Sequence, residues 1–162
     1  MKIRVEGYDP NSVSEPTLPL PQGKFLAQVV SVEPYVNVNG NFCVAFTLRV
    51  NLSQSDMWDT TAATKLYRHV LYMGPSDGGG NLARFEGFTS TVRMLAALGY
   101  KTANIDLSLA LGKGLVIEVV HTTKKRKDGT QNTYVTFKSV SPYTGALPPL
   151  EAGTTAAEVI PF

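Results

Sequence analysis

Residues 23–50 read "GKFLAQVVSVEPYVNVNGNFCVAFTLRV", and the way this stretch alternates decides the fold. Its first arm, Gly23 to Val36, is rich in β-branched and aromatic residues, and Asn39-Gly40 supplies the chemistry of a tight turn. In the second arm Phe42, Val44, Phe46, Leu48 and Val50 alternate with Cys43, Ala45, Thr47 and Arg49. Successive strand side chains point to opposite faces, so the first set forms a core face and the second a small, polar one. The stretch is a β-hairpin with long arms.

Working outward, "NLSQSDMWDTTAA" breaks the pattern as a loop around Trp58, and "TKLYRHVLYM" resumes as a third strand ending at Gly74-Pro75. Beyond "GPSDGGGN", Phe85, Phe88, Val92, Leu95 and Ala96 recur at helical spacing and Gly99 closes the run. "GLVIEVVH" reads as a fourth strand, "TTKKRKDGTQN" as a loop centred on Asp128-Gly129, and "TYVTFKSV" as a fifth strand ended by Pro142. Three strands, a helix and a hairpin is the element order of an OB-fold: mainly β, a five-stranded Greek-key barrel with one helix between strands 3 and 4. The spacing places this domain at residues 23–143. Residues 1–22, with four prolines, form an N-terminal extension carrying one short edge strand at Lys2 to Glu6, and residues 144–162, rich in Ala, Pro, Thr and Gly, form a flexible tail.

A chain of 162 residues with 43% hydrophobic and 17% charged residues is long enough to bury one core unaided. It has no apolar run of bilayer length and no signal-peptide pattern, so no membrane association and a cytoplasmic location are expected. Cys43 is the single cysteine and His69 and His121 are the two histidines, which excludes an intramolecular disulfide and a thiolate zinc site. The net charge of +2 divides unevenly: residues 1–145 hold all 15 Lys and Arg but 11 of the 13 acids, a balance of +4, whereas the tail holds Glu151 and Glu158 and no lysine.

The strongest charge feature is "KKRK", Lys124, Lys125, Arg126 and Lys127, at the tip of the last hairpin. Adjacent cations repel one another, an arrangement suited to phosphates whose counterions are released on binding; the competing account is a gatekeeping cluster that keeps a hairpin soluble. Arg49, Lys65 and Lys138 lie on the strands that would line the same groove. In the fifth strand Val135 and Phe137 take the core parity and leave Tyr134 displayed; Tyr67 in the third, a strand of ambiguous parity, is the other candidate for stacking on bases, although an aromatic residue taken alone is more often core. Trp58 is either a base-stacking lid or the plug of the barrel's end. "GPSDGGG" lacks the Gly-Lys-Ser/Thr ending of a phosphate loop, and no paired carboxylates or nucleophile elbow are present, so no catalytic residue, metal or cofactor is expected.

The closing residues, "EVIPF", resemble the C-terminal tip of bacterial single-stranded DNA-binding proteins, and the span from "GKFLAQVV" through "VRMLAALG" to "GKGLVIEVV" and the basic hairpin resembles the OB-type single-strand-binding proteins of tailed bacteriophages. The resemblance implies a protein that coats single-stranded DNA with little sequence specificity during replication, recombination and repair. It also implies that Ile160, Pro161 and Phe162 dock onto replication or repair enzymes, and it is compatible with a homo-oligomer. Where the family tail carries a run of aspartates, this one has Glu151 and Glu158. The alternatives are a phage structural or assembly protein that uses the β barrel as an interaction module, and a small nuclease with carboxylates gathered from distant segments.

Overall fold

A computed structural model describes residues 1–4, 6, 18–79 and 81–150 of the chain. Its elements, in chain order, are β1 (Gly23–Val36), β2 (Asn41–Asn51), β3 (Thr64–Pro75), α1 (Thr89–Ala97), a 3-10 turn (Leu107–Ala110), β4 (Gly114–Lys125) and β5 (Gln131–Tyr143). The protein is thus mainly β, with five strands in a single antiparallel sheet of order β3-β2-β1-β4-β5 and one α-helix between β3 and β4. The expected edge strand at Lys2 to Glu6 is absent from the described residues there, Met1–Arg4 being without regular structure and Glu6 in a turn. The candidate docking residues Ile160, Pro161 and Phe162 lie outside the described residues.

The opening hairpin forms where the alternation puts it. Asn37 organises its turn: its Oδ1 accepts from the N–H groups of Asn39 and Asn41, both at 3.0 Å, and Gly40 adopts the positive φ (79°) that a residue with a Cβ avoids. Phe46, Leu48 and Val50 are fully buried and join Val29, Val32, Leu71, Leu115, Ile117 and Val119 in one core, against which Val135, Phe137 and Val140 of β5 pack. All five strands therefore share one interior. The two strands at the ends of the ladder, β3 and β5, are joined by side chains: the ring of Phe137 lies 4.5 Å from that of His69 and 5.6 Å from that of Tyr67, centroid to centroid. Register shifts at Val29/Ser31, Phe42/Cys43 and Glu118/Val119 add the local twist that curls such a sheet.

Helix α1 is shorter than its spacing predicts, because Phe85 precedes it and Phe88 sits at its N-cap. Its end follows the pattern. Gly99 has φ 92°, its N–H donates to Ala96 O and the Tyr100 N–H donates to Leu95 O, both at 3.0 Å, which closes the last carbonyls in a Schellman motif. Met94, Leu95, Ala97 and Leu98 turn into the core, and the Thr91 hydroxyl donates to Tyr72 O (2.8 Å), pinning the helix to β3.

Two expectations are corrected. The second face of β2 was expected to be a small polar surface, yet Cys43, Ala45 and Thr47 are buried, shaded by larger side chains on the neighbouring strands. Pro142 does not end β5, which runs on to Tyr143. As a strand at the end of the ladder, β5 can place a residue without an N–H in register with Leu115. Beyond it, the chain crosses back over Gly114, where an added Cβ would meet Tyr143 O at 2.8 Å, and Pro148 O accepts from the Gln28 side chain at 2.8 Å. That crossing covers the outer side of β1.

Candidate nucleic-acid interface

The β4–β5 hairpin carries its cations at an ordered tip. Lys124 and Lys125 belong to β4 itself, so only Arg126 and Lys127 of the basic run lie in the turn. The Arg126 N–H donates to Thr130 O (2.7 Å), Gly129 takes φ 88°, and Asp128 Oδ1 accepts from the Thr130 hydroxyl (2.6 Å) and N–H (3.0 Å). Those hydrogen bonds from Thr130 hold the Asp128 carboxyl below the usual carboxylate range. The arms are knitted by hydroxyl pairs, Thr122 to Thr136 at 2.8 Å and Thr123 with Thr133 at 3.0 Å. Register sets Lys124 against Asn132 and Thr122 against Tyr134, so Lys124, Asn132 and Tyr134 share a face. With Lys125, Arg126 and Lys127 they line a cleft of about 280 Å³ in which Tyr134 is 41% exposed.

Further along β5 the seam with β3 opens into a second, smaller concavity of about 180 Å³, lined by Tyr67, His69, Ser90, Arg93, Val135, Thr136, Phe137 and Val140. Tyr67 is not displayed like Tyr134: it takes the inward parity of His69 and Leu71 and is half-buried, its ring packed against the core. Burial raises the Tyr67 hydroxyl pKa above its ordinary value and lowers that of His69 from 6.5 to about 4. The imidazole is therefore neutral at pH 7. Arg93 Nη1 donates to Lys138 O (3.2 Å), tying α1 to β5 at the rim of this concavity.

The remaining predicted residues are spread out. Lys138 is exposed at the bulge of β5, its Nζ 3.6 Å from Glu118, an ion pair too solvated to count for much stability. Arg49 faces outward from β2, in register with Gln28 and Leu66, and Lys65 is exposed near the start of β3. Trp58 is half-buried in the β2–β3 loop, where its N–H donates to Tyr143 Oη at 3.4 Å. Since Tyr143 and Gln131 are the two ends of β5, a strand path of roughly 40 Å, Trp58 is not brought to the basic tip. The fold gathers Lys124–Lys127 with Tyr134 and leaves Trp58 at the Tyr143 end of β5, while Lys65 and Arg49 flank Tyr67, whose ring meets Phe137 midway along β5.

Sequence reasoning missed a group on the outer side of β1, β2 and β3. Tyr35, Cys43 and Tyr72 stand in one register row and Thr47 and Arg68 in the next but one. Arg68 lies 4.0 Å from Glu33 and 5.5 Å above the Tyr35 ring, and Tyr72 Oη accepts from Asn37 Nδ2 at 2.7 Å. The signal was available in β2: a strand face of small residues needs bulky neighbours to bury it. A larger concavity, about 680 Å³, lies elsewhere, between α1, the 100–107 segment and the Phe42 end of β2; it is mostly apolar, with Lys101 its single charged lining residue, and contains none of the predicted site residues.

Among the described residues no cluster of three His, Cys, Asp or Glu side chains is placed to hold a metal ion, and no helix is long and apolar enough to cross a membrane. No protein-family model matches the chain, and no curated protein matches it.

Proposed function

We propose that the chain is a single-stranded DNA-binding protein built on an OB-type barrel. The order β3-β2-β1-β4-β5, with β3 and β5 meeting through Tyr67, His69 and Phe137, supports the barrel. The observation that carries the function is an exposed Tyr134 ring in one cleft with Lys124, Lys125, Arg126 and Lys127. Cations neutralise the sugar-phosphate backbone, and a displayed ring stacks on any base, because every base has a π-face. A duplex hides those faces. Arg49, Lys65 and Lys138 extend the positive surface along the barrel, and the Ile160-Pro161-Phe162 segment recruits replication or repair enzymes by the resemblance stated above.

On a single strand, log affinity falls with log salt at a slope of about 0.7 per phosphate neutralised. Replacing Lys124, Lys125, Arg126 and Lys127 with Gln is expected to flatten the slope for oligo-dT by about 2–3, on the order of one phosphate contact per cation. An unchanged slope places the hairpin outside the site. The 680 Å³ apolar groove favours a second reading, a phage assembly module that binds protein. That reading predicts no shift of a fluorescent oligonucleotide at low salt.

A further inference from the structure

We infer that the apolar groove between α1 and the 100–107 segment is a docking site for this chain's own C-terminal segment, Glu158–Phe162. The inference stands apart from the single-strand reading and gives the tail a place on its own domain, from which a partner enzyme has to draw it.

The groove suits an apolar segment. Its walls come from Phe42 and Met73 of the sheet, Val92 and Leu95 of α1, and Phe85 and Ile105 of the flanking loops. Phe85 and Val92 are each 46% exposed, which leaves apolar surface in water beside a cavity of about 680 Å³. That volume falls within the roughly 300–1,000 Å³ of sites that enclose a drug-sized ligand. One charged residue lines it, Lys101. The segment Glu158-Val159-Ile160-Pro161-Phe162 has the complementary composition: four consecutive apolar residues follow one carboxylate, in a tail (residues 146–162) with no Lys or Arg of its own. Pro161 has a fixed φ, which lowers the entropy lost on docking.

Position favours this occupant. After crossing Gly114 the chain reaches Leu150, which packs on Gly112: an added Cβ there would stand 3.5 Å from Leu150 Cδ1. The next residue, Lys113, donates through Nζ to Leu98 O and holds that nitrogen 5.8 Å from the ring centroid of Tyr100, a wall of the groove. From Leu150 the eight residues to Glu158 extend to at most about 29 Å, enough to cross a domain of this size. A link of that length gives the segment an effective concentration on the order of 1 mM at the groove, so an intrinsic dissociation constant on the order of 0.1 mM leaves the groove about nine-tenths filled.

The test titrates a synthetic Ala156–Phe162 peptide into the whole chain and into an Ile160→Asp/Phe162→Asp variant, following the amide resonances of Val92, Leu95 and Lys101. The variant's own segment no longer suits an apolar groove, so it is expected to bind the peptide about tenfold more tightly than the unmodified chain. Its groove resonances should also differ from the parent's before any peptide is added. Adding Ala96→Trp to the variant should abolish peptide binding, because Ala96 is exposed on α1 and lines the groove, where a larger side chain fills the space without entering the core. Equal affinity of the parent and the Asp variant for the peptide, no shift at the groove in either, or binding that survives Ala96→Trp overturns the proposal. A difference between the two chains that disappears on dilution also overturns it, and assigns the segment in the groove to a second copy. Oligo-dT affinity, expected to be the same in all these chains, reports separately on the single-strand reading.

Discussion

Tyr134 and Tyr67 show how far individual side chains were legible. The parity of β5 is unbroken from Tyr134 to Phe137, so the inward Val135 and Phe137 and the displayed Tyr134 could be read directly. In β3, Tyr67 and Tyr72 have opposite parity, and only tertiary packing decides which faces in; here the ring of Phe137 draws Tyr67 and His69 inward. For Tyr134→Ala the account predicts a loss of about 1–3 kcal/mol in oligo-dT affinity with the salt slope retained, since a stacking contact and no phosphate contact is removed. Tyr134→Phe should bind as the parent does. His69 makes a separate prediction. Its folded pKa of about 4 lies below the ordinary 6.5, so between those values the unfolded chain binds more protons and stability falls as pH drops. Urea melts should show full stability above about pH 6.5, a loss on the order of 2–3 kcal/mol by pH 4, and a flatter profile for His69→Phe.

At the level of elements, alternation located all five strands and the Gly99 cap located the end of α1. What it did not show follows from contacts distant in sequence. Cys43, Ala45 and Thr47 have the composition of a half-exposed face, and they are buried because Tyr35, Arg68 and Tyr72 arrive from β1 and β3. The bulges at Val29/Ser31 and Glu118/Val119 shift parity by one residue without any residue type announcing them. Gly74 illustrates a constraint that becomes clear only in the fold. It has φ 145°, and an added Cβ would stand 1.9 Å from Arg84 O, where the 83–86 segment runs beside the end of β3 and the Glu86 N–H donates to Met73 O. Gly74→Ala is therefore expected to cost on the order of 2–3 kcal/mol in a thermal or urea melt, from backbone strain and a clash that only a main-chain shift can relieve.

Taken whole, the molecule is a curled sheet whose two end strands meet through aromatic rings, with α1 tied across them by Arg93 and Thr91. Unpaired strand edges invite association with other chains; here the seam between them is filled by side chains instead of a backbone ladder. That geometry places Lys124–Lys127 and Tyr134 towards one end of β5, Tyr67 and Lys138 near its middle, and Trp58 by Tyr143 at its other end. The sequence showed the charge and the rings, whereas their division between two ends depends on strand lengths and on the Tyr143 contact to the Trp58 loop. The most direct test of the central claim is titration of the whole chain with a short oligo-dT and with the duplex of the same length, each at two salt concentrations. The account predicts binding of oligo-dT that weakens steeply with salt and exceeds binding of the duplex at both concentrations; equal affinity for the two, or no binding of oligo-dT at the lower salt, would contradict it.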